Sequence, residues 1–185
     1  MEISDMPFQD EAILRQAAEL LVVAFQEHWP GSWPDLDSGL EEVLAACGVD
    51  RICRIAMGGD GNALGWIGGI PEYDGNVWEL HPLAVRPDQQ GKGIGRALVE
   101  DFIEQVSLRG GGTIMLGSDD ENNMTSVGGV DVYPDPLEHL HQIRNLKRHP
   151  YEFYQQMGFV IVGLIPDANG FGKPDILMAR RVESP

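Results

Sequence analysis

The chain has 185 residues, 43% of them hydrophobic, and its 13 basic and 29 acidic residues give a formal net charge of −16. This length and apolar content suit one domain, residues 1–185, that buries on the order of 70% of the surface of the unfolded chain. The acidic surplus excludes nucleic acid as a natural partner. No run approaches the roughly 20 apolar residues of a membrane span, and the first residues do not resemble a secretion signal, so we expect a cytoplasmic protein that needs no membrane.

The spacing of the apolar residues predicts helices and strands in turn. The glycine-rich segment 58–62 indicates a hairpin turn between two strands. In chain order we expect helices over 11–27 and 37–46, strands over 51–57, 63–73 and 77–85, a helix ending near 109, a strand over 113–116, helices over 136–146 and 151–157, and strands over 159–165 and 176–182. This order predicts an α/β fold of the α+β type, with one mixed central sheet that contains a parallel strand pair and is flanked by helices.

Acidic residues stand in long stretches without counter-charge. Seven acids and no Lys or Arg lie between Arg15 and Arg51, whereas Lys92 and Arg96 share one glycine-rich segment. We therefore expect an anion-binding cradle in surroundings that attract a cation. For any single acid, a solubilising surface role is the alternative.

The two cysteines, Cys47 and Cys53, have neither the spacing of metal ligands nor a histidine nearby. We expect buried free thiols here, rather than a disulfide or a metal site. No metal is predicted elsewhere in the chain.

The most informative segment is Gln90–Gly95, which follows an apolar run and opens a helical pattern. Glycines permit a tight turn, so that free N–H groups at the helix start point at one phosphate group, and a pyrophosphate is the expected guest. A P-loop needs Ser or Thr where Gly93 stands, and a dinucleotide-binding fingerprint needs glycine where Arg96 stands. The remaining pattern, Gln/Arg-x-x-Gly-x-Gly/Ala, resembles the acetyl-CoA loop of the GNAT N-acetyltransferase superfamily. An ordinary helix start that binds nothing is the alternative.

The strand before this loop carries candidate chemistry. Alternation places Glu79 and His81 on one face, and Pro82 cannot donate to a neighbouring strand, which predicts a bulge or a splay that leaves a gap. A pantetheine arm could pair in this gap, and the N–H of Leu83 could polarise a thioester carbonyl. An amine acceptor is mostly protonated at pH 7, so Glu79 or His81 would take its proton, directly or through water.

A departing thiolate also needs a proton, and a tyrosine hydroxyl suits this role. Tyr154 lies on a predicted helix where N-acetyltransferases carry such a tyrosine. Packing of this aromatic ring on the sheet is the alternative.

Four blocks make the resemblance closer: Trp78–Leu83, Leu116–Asp120, His149–Tyr154, and Ile161–Gly170 followed by Lys173–Ile176. In this order they resemble the aminoglycoside 6′-N-acetyltransferases, specifically the chromosomally encoded, homodimeric branch. The match spans about residues 65 to 180. It implies the GNAT fold with a splayed strand pair, a homodimer, and transfer of acetyl from acetyl-CoA to the 6′-amino group of an aminoglycoside, which confers antibiotic resistance.

The resemblance also implies site residues. Of Glu79 and His81, one would be the base and the other the acceptor-binding residue, in either assignment. Tyr154 would be the general acid on the thiol side, and the Asp119 carboxylate would bind the drug's amines. Trp29 and Tyr73 would be rim residues against the sugar rings, with buried aromatics as the alternative. The acetyl-CoA contacts would be Leu83, Ala84, Val85, Gln90, Gly91, Lys92, Gly93, Ile94, Gly95 and Arg96.

Two other functions stay open. The same acidic face attracts a polyamine or a protein amine, which would change the acceptor and keep the chemistry. A CoA-binding sensor that has lost turnover is the third hypothesis.

Overall fold

The computed structural model of the chain describes residues 1–183. Its strands form one sheet in the order β1-β2-β3-β4-β5-β7-β6, in which β4 and β5 are the parallel pair, and helices flank this sheet, which confirms the predicted fold class. The elements are β1 (Glu2–Asp5), α1 (Glu11–Phe25), α2 (Leu36–Ala46), β2 (Ile52–Met57), β3 (Ala63–Glu72), β4 (Val77–Val85), α3 (Ile94–Leu108), β5 (Thr113–Asp119), α4 (Pro136–His141), α5 (Tyr151–Gln156), β6 (Val160–Ile165) and β7 (Asp175–Arg181).

The chain forms two compact units, one of residues 1–114 with Val182 and Glu183, the other of Met115–Arg181. The assignment of all residues to a single domain stays a prediction. None of the helices within residues 1–183 combines the length and the apolarity that a bilayer-spanning helix requires.

In the first unit, α1 begins where the Asp10 side chain accepts hydrogen bonds from the N–H groups of Ala12 and Ile13. This cap satisfies donors that the helix itself leaves unpaired. The buried stripe of α1 includes Ala17, whose carbonyl oxygen accepts a hydrogen bond from the indole N–H of the fully buried Trp66 on β3 at 3.1 Å. The helix is therefore held to the sheet by apolar burial and by one buried hydrogen bond.

Helix α2 packs closely on α1. Its cap is reciprocal, because Asp35 accepts from the Ser38 N–H while the Ser38 hydroxyl lies 3.3 Å from the Asp35 N–H. One turn later, a Cβ on Gly39 would lie only 2.9 Å from the Ala18 carbonyl oxygen of α1. The absence of a side chain at position 39 thus sets how near the two helices approach.

The β3–β4 pairing contains an irregularity next to the site. Ile67 pairs with Leu83 and Gly69 pairs with Leu80, so that two residues of β4, His81 and Pro82, stand opposite Gly68 alone. This is the arrangement of a β-bulge. The bulge that Pro82 predicted in the sequence is confirmed. A side chain at Gly68 would collide with the His81 carbonyl oxygen.

Strand β1 was not predicted, because it has four residues and Ile3 is its one apolar side chain. An ion-pair cluster holds it in place. The guanidinium of Arg54 on β2 lies 2.6 Å from Asp5 of β1 and 2.7 Å from Asp101 of α3. The pair with Asp101 is shielded from solvent, because the Arg54 and Asp101 side chains are only 12% and 17% exposed, whereas the Asp5 side chain is 84% exposed. Together the two pairs join three elements.

The cysteines are free, as predicted, and partly rather than fully buried. Cys47 caps the C-terminal end of α2 and Cys53 lies on β2, and their Sγ atoms are 3.5 Å apart.

In the second unit, the helix predicted over 136–146 is wrong in length, since α4 ends at His141. The reason is pairing with a distant segment. Ser126 and Arg144 exchange hydrogen bonds, and the N–H groups of Leu146 and Lys147 both donate to the Met124 carbonyl. These contacts draw the backbone after Gln142 away from a helical path.

The loop that receives this segment is built on a buried carboxylate. Asp120 is fully buried and accepts hydrogen bonds from the Met124 N–H, the Thr125 N–H and the Thr125 hydroxyl, at 2.7 to 2.8 Å. Three donors compensate the desolvation of the charge. Asp120 therefore organises the polar segment between β5 and α4.

His149, also buried, uses both ring nitrogens. Nε2 donates to the Asp119 carbonyl oxygen at 3.1 Å, and Nδ1 accepts from the Tyr151 N–H at 3.3 Å. A neutral imidazole satisfies this pair of bonds. Burial lowers the pKa of His149, although the hydrogen bond to Asp119 and the charges of Asp120 and Asp119 act in the opposite direction.

Gly68→Ala is expected to lower the free energy of unfolding by about 1–3 kcal/mol, because the new methyl group must displace the His81 carbonyl and disturb the bulge. Urea denaturation of both proteins measures this. The matched control is Gly59→Ala in the β2–β3 turn, where an added Cβ meets nothing within 4 Å. Equal stability of the two variants would contradict the packing argument at Gly68.

His149 predicts a pH-dependent contribution to stability. In the folded chain the pKa of His149 lies below the ordinary value of about 6.5 that it has in the unfolded chain. Below about pH 6.5 the unfolded chain therefore binds a proton at His149 that the folded chain does not bind. The free energy of unfolding falls as the pH drops through this range. In His149→Asn this part of the pH slope should vanish, whereas His139→Asn, at an exposed position on α4, should keep it. Urea midpoints between pH 5 and 7.5 test this, and an unchanged slope in His149→Asn would contradict it.

Candidate active site

Strand β4 presents one half-exposed face. Its residues alternate between partly exposed and buried over the whole length Val77–Val85, and Glu79 and His81 both lie on the partly exposed face. The prediction that these two side chains share a face is confirmed. Leu83 continues the same face beyond the bulge, so acid, imidazole and the next backbone N–H follow one another along a single strand.

The surroundings of His81 come from the helical segment between β1 and β2. Its Nε2 lies 3.7 Å from Oε1 of Glu42 on α2. The Trp33 ring lies 5.9 Å from the imidazole, centroid to centroid, with the planes tilted by 46°. The His81 side chain remains 43% exposed, so the ring is contacted on two sides and still open to a substrate.

Sequence reasoning missed both Glu42 and Trp33. A signal for Glu42 was present, because it stands three residues after Gly39 and four before Ala46, both buried positions of α2. An acid at that spacing lies at the edge of the buried face.

Aromatic rings line the approach to α2. Trp33 meets Phe25 edge-on at 4.7 Å, and Phe25 meets Trp29 at 5.7 Å. Among residues 1–183, the buried indole N–H of Trp29 has no hydrogen-bond partner. Tyr73, by contrast, is 73% exposed. Of the two residues predicted at the rim, Trp29 is therefore part of an aromatic cluster and Tyr73 is open to solvent; their contact with a sugar stays a prediction.

The glycine loop forms an open cradle at the start of α3. Gly91 and Gly93 have φ angles of 74° and 87°, in the left-handed region, and a Cβ at either position would meet nothing within 4 Å. Gly93 is the N-cap of α3, and no side chain bonds to the N–H groups of the first turn. These donors and the positive end of the helix dipole lie together at the loop, an arrangement that suits a phosphate group.

Two polar side chains of the loop form hydrogen bonds with residues close to them in the sequence. Lys92 Nζ donates to Gln89 Oε1 at 3.0 Å, and the Gln90 amide donates to the Val85 carbonyl oxygen at 3.3 Å. Lys92 is exposed and brings a positive charge to the rim of the cradle. With Arg96, which is also exposed at the start of α3, the segment combines backbone donors with two cations, as an anion site requires.

The second unit carries the other two candidates. Asp119 ends β5, and its Oδ1 accepts a hydrogen bond of 2.5 Å from the Asn169 amide, while its carbonyl oxygen accepts from His149. The carboxylate is thus fixed by a residue of the β6–β7 turn. Asn169 was not predicted as a site residue, since nothing local in the sequence pairs positions 50 residues apart.

Tyr154 lies on α5, with its ring 5.1 Å from Phe153 and 5.6 Å from Phe159. Burial raises the pKa of the Tyr154 phenol well above its ordinary value. The hydroxyl therefore keeps its proton throughout the neutral range, which is the state that a proton donor needs.

The Acetyltransferase (GNAT) family model matches residues 14–128, more than half of the chain. No curated protein sequence matches. Among solved structures, the chain is similar to an aminoglycoside 6′-N-acetyltransferase complexed with coenzyme A, with 36% identity and a TM-score of 0.90 over 100% of this chain and 99% of that one.

Two further structures agree. The aminoglycoside 6′-N-acetyltransferase from Enterococcus faecium is 37% identical with a TM-score of 0.88, and an aminoglycoside 6′-acetyltransferase type Ii is 34% identical with a TM-score of 0.74. In both cases the match covers 100% of this chain and 99% of the other. With the glycine cradle, the bulged strand and these full-length matches together, the chain belongs to the GNAT acetyltransferase family.

Proposed function

We propose that this protein transfers the acetyl group of acetyl-CoA to the 6′-amino group of an aminoglycoside, by direct attack of the amine in a ternary complex. The observation that carries the proposal is the similarity over full length, at 34–37% identity, to three aminoglycoside 6′-acetyltransferases. Acetylation would remove a positive charge from the drug, and resistance is the proposed consequence.

The charge of the chain supports a polycationic acceptor. The net charge of −16 attracts a molecule with several ammonium groups over a distance, before specific contacts form. Glu79 is partly exposed on β4, and the Asp119 carboxylate is oriented by Asn169. Both are proposed to bind ammonium groups of the acceptor.

The β4 strand is proposed to supply the base and the carbonyl donor. An alkyl ammonium must lose a proton before it attacks, and His81 or Glu79 can take it. The N–H of Leu83 follows the bulge, where it would donate to the thioester oxygen as negative charge develops there. The open cradle at Gly91 and Gly93 would bind the pyrophosphate of the coenzyme.

Tyr154 is proposed to return a proton to the sulfur that departs. The phenol is protonated at neutral pH, so its O–H can donate to the sulfur as negative charge develops there. The aromatic contacts of the ring with Phe153 and Phe159 fix its direction.

The proposal is tested in two steps. Calorimetry of the full chain with acetyl-CoA should show binding, and free thiol should then appear when kanamycin or tobramycin is added, with the acetyl group on the 6′ nitrogen by NMR of the product. A higher specificity constant for spermidine or for a peptide amine would assign the alternative acceptor. Binding of acetyl-CoA without acetylation of any amine would make the protein a CoA-binding sensor, and absence of binding would overturn the proposal entirely.

Tyr154→Phe should lower the single-turnover rate on the order of 100-fold, because the general acid is removed while the ring remains. Affinity for acetyl-CoA, measured by calorimetry, should stay unchanged. Tyr133→Phe, an exposed tyrosine in the second unit, is the control and should match the wild type in both measurements. A single-turnover rate in Tyr154→Phe equal to that of the wild type would argue against the acid role.

A further inference from the structure

Glu42 is a carboxylate to which neither the sequence analysis nor the proposed function gives a role. It lies on α2, between the buried positions Gly39 and Ala46, and its side chain is only 21% exposed. The first turns of the helix that carries it are held by the Asp35 cap and by the close approach of Gly39 to α1. Glu42 is therefore a fixed group and not a mobile surface acid.

The Glu42 carboxylate lies near one of the two ring nitrogens of His81. Oε1 of Glu42 lies 3.7 Å from Nε2. A lone pair on Nε2 would face a negative carboxylate and be repelled, whereas an N–H at the same place is attracted. The carboxylate therefore favours the neutral imidazole that is protonated on Nε2 and has its free lone pair on Nδ1.

We propose that Glu42 is a positioning residue that holds His81 in the Nε2–H tautomer, so that Nδ1 accepts the proton of the acceptor amine. The inference rests on the proposed function, because it concerns the base of that reaction. It also separates the two carboxylates near the strand, since Glu42 orients the imidazole and Glu79 stays available to the cationic acceptor.

The contacts of His81 agree with a role for Glu42 in orienting the imidazole. Within the part of the chain that the structure describes, Glu42 is the one carboxylate within 4 Å of the imidazole nitrogens. Trp33 packs against the ring and limits its rotation. Since 43% of the side chain stays exposed, the imidazole is in contact with solvent, to which a proton can be passed on.

The protons balance as follows. The ammonium group of the acceptor loses one proton to reach the neutral amine and a second when the C–N bond to the acetyl carbon forms, while the C–S bond breaks. One proton restores the thiol of coenzyme A, through Tyr154 in the proposed function. The other passes through His81 to solvent, and while His81 holds it the positive ring faces Glu42.

The first test reads the tautomer and needs no turnover. In uniformly ¹⁵N-labelled full-length protein, long-range ¹H–¹⁵N spectra distinguish the two neutral tautomers of His81, and His81→Asn identifies the signal among the five histidines. We expect the Nε2–H form in the wild type and a mixture in Glu42→Ala. Glu41→Ala, at the exposed neighbouring position of α2, is the matched control and should match the wild type. Identical His81 signals in Glu42→Ala and the wild type would overturn the proposal.

The second test is a double-mutant cycle. Glu42→Ala should lower kcat for the amine about tenfold, a part of what a general base contributes, with the KM for acetyl-CoA unchanged. In a His81→Asn background it should have no further effect, and Glu42→Asp should recover part of the loss. A rise in the acceptor KM of equal size in both backgrounds would mean that Glu42 binds the acceptor directly, which overturns the positioning role.

The two failures are distinguishable. If the wild type acetylates no amine, the proposed function fails, while the tautomer measurement still decides the role of Glu42. If the wild type acetylates aminoglycosides and Glu42→Ala matches it in both tests, the inference alone fails.

Discussion

Pro82 has no N–H to donate, and this single missing hydrogen bond interrupts the pairing of β4 at the place where the candidate site lies. His81 and Pro82 together face Gly68, and the pairing resumes at Leu83. A glycine opposite the bulge is required, because the His81 carbonyl occupies the space of a side chain. Glu79 and His81 keep their shared half-exposed face because the strand is otherwise regular.

The N-termini of the helices in this chain are of two kinds, closed by a carboxylate or left open by a glycine. Asp10 and Asp35 cap α1 and α2 with their carboxylates, which satisfies the first N–H groups and closes these ends. At α3 the cap is Gly93, and no side chain takes its place. A glycine at this position costs only about a few tenths of a kcal/mol of helix stability relative to a capping side chain, and it leaves the first N–H groups available to an anionic guest.

Much of this could be predicted from the sequence, because local rules govern it. Val77–Val85 alternates strictly and has the predicted bounds, and the glycine spacing identifies the cradle without reference to any other segment. The features that could not be predicted depend on contacts between residues that are far apart in the sequence. The helix predicted to run to residue 146 ends at His141 because residues near Met124 take its backbone donors, and β1 is too short and polar to show a pattern. The roles of Glu42 and Asn169 depend on their contacts with His81 and Asp119, which are far away along the chain.

The adjacent thiols of Cys47 and Cys53 bear on how the enzyme is handled at the bench. The contact between the two sulfurs lowers the pKa of Cys47, while the same contact and burial raise the pKa of Cys53. The more acidic sulfur, Cys47, has the larger thiolate fraction at neutral pH and is therefore the one that reacts with aromatic disulfide dyes. Such reagents therefore report the protein's own sulfur along with the released coenzyme, and the ultraviolet absorbance of the thioester is the cleaner signal.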